Sequence, residues 1–384
     1  MKKAVLIDGV RTPIGRFRGS LQSKSAIELG VHVVSELIRR VPATKKANGA
    51  IFGQVIQAGQ GQNPARQVIY RAGMDLTTPA ITLNNVCLGS LASVSDAVRR
   101  IERDEGDLFI VGGFDSMTNA PHTSVLRSEV KMGSVQFYDT LNDGLWCSLS
   151  DASMGEISEK VNQDLNINRD DQDKYAETSQ LRATKAQLKG IFNQEIVGIK
   201  VSNELITEDE GIRPEATFRK LQKLKPVFNE NGTITAGNAS QMSDGASAGL
   251  ISNIETCERL GVTPLASIID WADVAGPDPT LHLQPANAIK KLLERTKLTL
   301  SDIDLFEINE AFAGVVIASQ RELGIPSDVL NVNGGAIALG HPLGASGFRL
   351  LLTLAHELKR RGGGRGIATL CGGGGQGIAV LIEV

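Results

Sequence analysis

The chain has only four cysteines, at positions 87, 147, 257 and 371, and no two of them form a CxxC pair. That excludes a disulfide framework and the paired spacing of a structural zinc site, and it predicts reduced thiols. Long apolar runs are missing too: nowhere do about 18 apolar residues follow one another, the length a membrane-spanning helix needs. The opening MKKAVLIDGVRTP breaks its apolar run at Asp8, which is too early for a signal peptide, and reads as a first β-strand. There is no surplus of basic charge. The net charge of −3 argues against a nucleic-acid partner while leaving room for a local basic patch. These absences predict a soluble, cytoplasmic protein without membrane or nucleic-acid partners.

Glycine, by contrast, is plentiful, with 41 of 384 residues, and it gathers where strands turn into helices. Residues 329–347, VLNVNGGAIALGHPLGASG, read as a strand over 329–332, a tight turn and a helix entrance, with His341 in the turn. A lone histidine there could simply satisfy a buried acceptor. Three more polar points flanked by turn residues accompany it: NNVCLGS around Cys87, NEAF from Asn309, and CGGGGQG from Cys371. Four such points in one chain suggest one site.

The order of elements supports this. A strand over 80–83 leads to Cys87, a helix over 91–103 and a strand over 107–111 ending at Gly112-Gly113. The strand over 329–332 likewise leads to His341, a helix from 346 to 361, and a strand over 366–370 ending at Cys371. The chain reads as a duplication of βαβ-based halves, which would carry both turns to one shared sheet edge. Between them, from about 118 to 241, lies a polar insertion with a helix over 169–190 and a loop carrying Arg213, Arg219, Lys220, Lys223 and Lys225. That loop is either a solvated basic surface or a phosphate site. A thiol at the strand-to-helix position of Cys87 is expected to have a lowered pKa from the helix dipole, the alternative being a small thiol packed under the helix.

With these points assembled, the chain resembles the thiolases over nearly its whole length, through RTPIGRF, GQNPARQ, SMTNAP, KLKPVF, TAGNAS, NEAFA, GGAIALGHPLGASG and CGGGGQG. The resemblance implies an α/β protein with the duplicated thiolase fold: two halves in five α/β/α/β/α layers, 1–257 (with a loop domain at about 118–241) and 258–384. It implies an acetyl-CoA C-acetyltransferase working through acetyl-Cys87, the nearest alternative being a degradative 3-ketoacyl-CoA thiolase for longer chains. A non-catalytic acyl-CoA-binding member is a third reading. By the same resemblance His341 is the base and Cys371 the proton donor and acceptor at the enolate. Asn309 with His341 forms one oxyanion hole, and the backbone N–H groups of Cys87 and Gly373 form the other. Arg213 lies near the CoA nucleotide, Met154, Ala236, Ser240 and Phe312 along the pantetheine tunnel, and Leu281 at the acyl pocket. Coenzyme A is substrate and product, with no cofactor or metal, and a homodimer or homotetramer is implied.

The run Gly372 to Gly377 also satisfies GxGxxG, but only an apolar strand, IAVLIEV, follows it, where a dinucleotide site needs a helix. Three segments depart from the family pattern: Leu88-Gly89-Ser90 exchanges Ser and Gly after the nucleophile, Ser153 stands where a His is usual, and 281–285 reads LHLQP where MGxGP is usual. The first is expected to reshape the acyl-pocket floor. His282 is expected to be a loop residue, His356 to lie on a helix surface, and His32, His122, Cys147 and Cys257 to have no chemical role.

Overall fold

The run AVLIDGVR is apolar at almost every position and is buried on both faces, half-buried only at Asp8, so it forms the central strand β1 (Ala4–Arg11). Helix α1 (Ala26–Arg40) begins in a Ser25/Glu28 capping box and ends in Arg39 and Arg40, which suits its dipole. Strands β2 (Gly49–Gly53) and β3 (Ala80–Leu83), helix α2 (Gly89–Glu102) and strand β4 (Leu108–Ser116) follow. The inserted segment contributes α3 (Met154–Asp164) and α4 (Arg169–Leu188), after which β5 (Ser243–Asn253) returns to the sheet. The second half runs β6 (Ala266–Ala275), α5 (Gln284–Thr296), β7 (Leu305–Ile308), α6 (Ala313–Leu323), α7 (Ser346–Arg361), β8 (Arg365–Gly372) and β9 (Gln376–Glu383). This computed structural model describes residues 3–127 and 132–384.

The strands lie in the order β7-β8-β9-β6-β1-β5-β4-β2-β3. The two halves meet where β1 pairs with β6, through Val5 opposite Ser267 and Leu6 opposite Ala266. On either side the pattern repeats: β2 is parallel to β3 and β4 while β4 is antiparallel to β5, and β7 is parallel to β8 while β8 is antiparallel to β9. The duplication read in the sequence is present in the topology.

Burial arranges these elements in five layers. Ile27, Val34 and Leu37 of α1 pack on Phe52, Phe114 and Leu250 at one outer face. Val94, Val98 and Ile101 of α2 meet Leu350, Leu354 and Leu358 of α7 between the halves, with Ile51 and Val111 on one side and Leu370 and Val380 on the other. Ile289 and Leu292 of α5 cover Ile308, Ile367 and Leu381 at the second outer face.

Three element boundaries differ from the sequence reading. The strand expected over 329–332 is absent: Leu330 makes a single parallel bridge to Phe306, and Asn331 sits at φ 45°. The Asn331 amide replaces the missing ladder, accepting from Ile308 N and donating to Ile308 O, both at 2.8 Å. The run from Ile51 to Gln57 reads in the sequence as one strand, but the strand stops at Gly53, where the chain turns. Strand β4 does not end at Gly112-Gly113 but runs on to Ser116. The glycines are there for approach: a Cβ on Gly113 would lie 1.9 Å from the carbonyl oxygen of Gly344.

Candidate active site

Cys87 stands between the end of β3 and the start of α2, and the turn that presents it is strained. Val86, a β-branched residue, holds φ at 49°, with its N–H donating to Asn84 Oδ1 at 3.0 Å. The glycine-rich hairpin after Cys371 closes over this turn. A Cβ on Gly372 would meet Leu88 Cγ at 2.7 Å, and one on Gly373 would meet Val86 Cγ1 at 3.3 Å and Met154 Sδ at 3.3 Å. Helices α2 and α7 abut at their first turns, where Phe348 N donates to Ser90 Oγ at 2.9 Å. Both predicted turns, and the hairpin, therefore converge.

His341 is buried, and its hydrogen bonds fix its tautomer. Ser346 Oγ donates its only proton to the Pro342 carbonyl at 2.8 Å, so it accepts from His341 Nδ1–H at 2.6 Å. Nε2 is left with its lone pair, and Asn309 Nδ2 donates toward it at 3.4 Å. Burial, with the nearby Arg349 guanidinium, pushes His341 down to about 3, so the ring is neutral at physiological pH.

The thiols behave otherwise than the helix dipole predicts. Burial and the Asp115 carboxylate push Cys87 up to about 12. Cys371 is raised as well, by burial and by Cys87 beside it. The expectation of a lowered Cys87 pKa is thus corrected: desolvation outweighs the dipole, and the resting thiol keeps its proton.

Two buried carboxylates hold the arrangement, and sequence reasoning missed both. Asp115 on β4 accepts from Val55 N at 3.1 Å, Ile56 N at 3.0 Å and Gly344 N at 2.7 Å, tying the first half to the turn of His341. Burial raises it to about 6. Glu310 accepts from Tyr175, Ser179, Asn331 and the backbone N–H of Ile337, which fixes the turn of Asn309 to the segment before His341. Ser346 was legible only as a helix entrance, not as the partner of His341.

Among the other expected residues, Leu281 and Phe312 are buried in one apolar cluster with Cys371, and Met154 packs on its edge. Ser240 joins it through the backbone, donating to Ala311 O at 3.0 Å, next to the bridge between Ala239 and Phe312. Ala236 is exposed and Arg213 half-buried, and both stand outside the cluster; the Arg213 N–H donates to Gln180 Oε1 at 2.7 Å. Ser153 caps α3, and Gly89 packs on Gly53 while Ser90 serves Phe348. The Ser/Gly exchange after Cys87 therefore acts in helix packing and not at a pocket floor. His282 is the loop residue expected, in the turn before α5, and it is fully buried; His356 is half-buried with both ring nitrogens unpaired, not a surface side chain.

A profile of the thiolase N-terminal domain matches residues 4–255, and one of the thiolase C-terminal domain matches 262–384. The chain belongs to the thiolase family. The "probable acetyl-CoA acetyltransferase" of Mycobacterium tuberculosis is 45% identical over 392 residues, covering 100% of both chains. The acetyl-CoA acetyltransferases of Escherichia coli (42% identical, 100% of this chain and 99% of the relative) and Shinella zoogloeoides (41%, 99% and 98%) are similar over the same span. The thiolase fold, with its duplicated halves, accounts for the convergence of Cys87, Asn309, His341 and Cys371 at one sheet edge.

Proposed function

We propose that the chain is an acetyl-CoA C-acetyltransferase, interconverting two acetyl-CoA with acetoacetyl-CoA and CoA through acetyl-Cys87. The observation that carries this is a neutral His341 whose Nδ1–H is held by Ser346 and whose Nε2 lone pair faces Asn309 Nδ2, its turn meeting those of the two thiols. In cleavage, His341 takes the Cys87 proton and the thiolate attacks the 3-keto carbon. The C–C bond breaks, and Cys371 gives its proton to the enolate, releasing acetyl-CoA. The CoA thiol then attacks acetyl-Cys87, its proton restoring Cys371, and His341 returns its proton to Cys87.

Asn309 and His341 stabilise the enolate oxygen, and the N–H groups of Cys87 and Gly373 stabilise the oxyanion at the acyl carbon. Arg213 faces the CoA phosphates, with Met154, Ala236, Ser240 and Phe312 along the pantetheine. The chain divides at 257/258. CoA is substrate and product, and neither cofactor nor metal takes part. Among the described residues no helix is long and apolar enough to cross a membrane. The exposed Ile81 on the edge strand β3, with Leu76 and Tyr70 nearby in sequence, suits a homodimer or homotetramer.

A second reading, a longer acyl group, draws on a cavity of about 490 Å³ beside Val86 and Gly373, lined by Ile56, Trp146 and Leu149 with polar Asn84, Thr140 and Asp143, and reaching Met154 of the pantetheine path. Thiolysis of acetoacetyl-CoA and 3-ketodecanoyl-CoA by the purified protein separates the readings. Fast cleavage of the short substrate alone is expected; preference for the long one would make the protein a degradative thiolase.

A further inference from the structure

Leu281 and Ile234 form an apolar wall against Cys371, with Phe312 and Val315. Behind that wall runs a polar chain, buried at His282, Asn162 and Gln172 and half-buried at Thr233 and Glu159, that takes no part in the chemistry above. His282 Nε2 lies 2.9 Å from Asn162 Oδ1. The Asn162 amide donates onward to Gln172 Oε1 at 3.3 Å and Thr233 Oγ1 at 3.4 Å. Gln172 Nε2 donates to Thr233 Oγ1 at 2.8 Å, and that hydroxyl donates to Glu159 Oε2 at 2.9 Å. Glu159 then accepts the backbone N–H of Ile234 at 2.7 Å. The chain thus leaves from the residue next to Leu281 and ends on Ile234, linking a segment of the second half to the inserted region.

The protonation of this link is settled by chemistry. An amide oxygen only accepts, so Nε2 carries the proton, and Nδ1 is bare and has no partner. Burial lowers His282 to about 4, which keeps the ring neutral in the working range. The neighbouring helix α6 is shaped for the pair: a Cβ on Gly314 would fall 2.1 Å from Asn162 Oδ1 and 2.9 Å from His282 Nε2. Ser319 Oγ on the same helix donates to the His282 carbonyl at 2.8 Å. Apolar contacts alone would fill this space without direction, whereas a buried hydrogen bond fixes both distance and angle.

We propose that His282 and Asn162 are positioning residues for acyl-chain selection: their hydrogen bond fixes Leu281 and Ile234 relative to Cys371, so that the site closes on a short 3-ketoacyl thioester. This rests on the acyltransferase reading above. The cavity on the Trp146 side meets this wall at Met154, which packs on its edge, and the wall sets how an acyl group can lie at Cys371.

The test compares kcat/KM for thiolysis of acetoacetyl-CoA and 3-ketohexanoyl-CoA in the wild type, Asn162→Leu, and the double variant Asn162→Leu/His282→Leu. Both changes take the Asn162 amide from Gln172 Oε1; the single change also orphans the buried His282 N–H, while the double change removes that donor. In both variants the preference for the four-carbon substrate is expected to shrink by about tenfold, the scale of one methylene in an apolar pocket. An unchanged ratio in the double variant, or an equal loss on both substrates in both variants, would overturn the proposal. A wild type that cleaves neither substrate would overturn the acyltransferase reading itself.

Discussion

Ser346 decides which nitrogen of His341 keeps its lone pair, because its own proton is already given to Pro342 and it can only accept from Nδ1. Ser346→Ala removes that constraint without touching a reacting atom. It is expected to lower kcat about tenfold, the scale of one hydrogen bond worth ~1.4 kcal/mol, with little change in KM; steady-state kinetics on acetoacetyl-CoA check this. The pH dependence belongs to the same residues. With His341 held near 3 and Cys87 near 12, neither group titrates between pH 5 and 7, and in that window Asp115, near 6, changes charge beside Cys87, while Glu307, near 8 and paired with the Arg349 that acts on His341, ionises above it. An Asp115→Asn variant is therefore expected to show a flat kcat profile from pH 5 to 7, and an inflection near 6.5 in it would mean that His341 titrates as an ordinary imidazole. Cys87, Asn309, His341 and Cys371 were visible in the sequence because turn glycines and polar residues marked them. Asp115 was not, because it sits in a buried strand without periodicity and the backbone N–H groups that donate to it lie 60 and 229 residues away.

At the scale of elements, most helices were legible from apolar spacing and capping residues. Helices α1 and α7 fall where the spacing puts them, and α4 begins at the expected Arg169. The strand before His341 was misread because VLNV carries β propensity while Asn331 satisfies Ile308 with its side chain and leaves the ladder at once. Glycine in β4 was misread for a related reason: sequence shows that a side chain is absent, not which backbone needs the space. Gly113→Ala tests the distinction. A methyl 1.9 Å from Gly344 O must push back the turn that carries His341. The expected result is a folded protein with kcat lowered on the order of 10²-fold, the cost of misplacing a catalytic group by about 1 Å. Kinetics near wild type would show that the two backbones can separate freely.

In the whole molecule, the site exists only where the two halves and the inserted region meet. Cys87 comes from the first half, and Asn309, His341 and Cys371 from the second. The insertion is fastened to β1 by Arg11, wholly buried, which donates to Glu195 at 2.7 Å and to both oxygens of Asp209 at 2.6 and 2.8 Å. Sequence could place Arg11 only in a basic stretch, since both partners lie almost 200 residues on. Arg11→Met would leave two buried carboxylates without their cation, and a loss of ~3–5 kcal/mol is expected in urea unfolding. A loss below ~1 kcal/mol would show that water reaches the pair. The reaction assigned to this assembled site is read most directly by mixing the protein with acetyl-CoA, without an acceptor, and mapping the modified peptide by mass spectrometry. An acetyl group on Cys87, formed at least about a hundredfold more slowly in His341→Ala, the lower end of the roughly 10²–10⁴ range of general-base contributions, is the expected result. An unmodified Cys87, or acetylation indifferent to His341, would contradict nucleophilic catalysis at this turn.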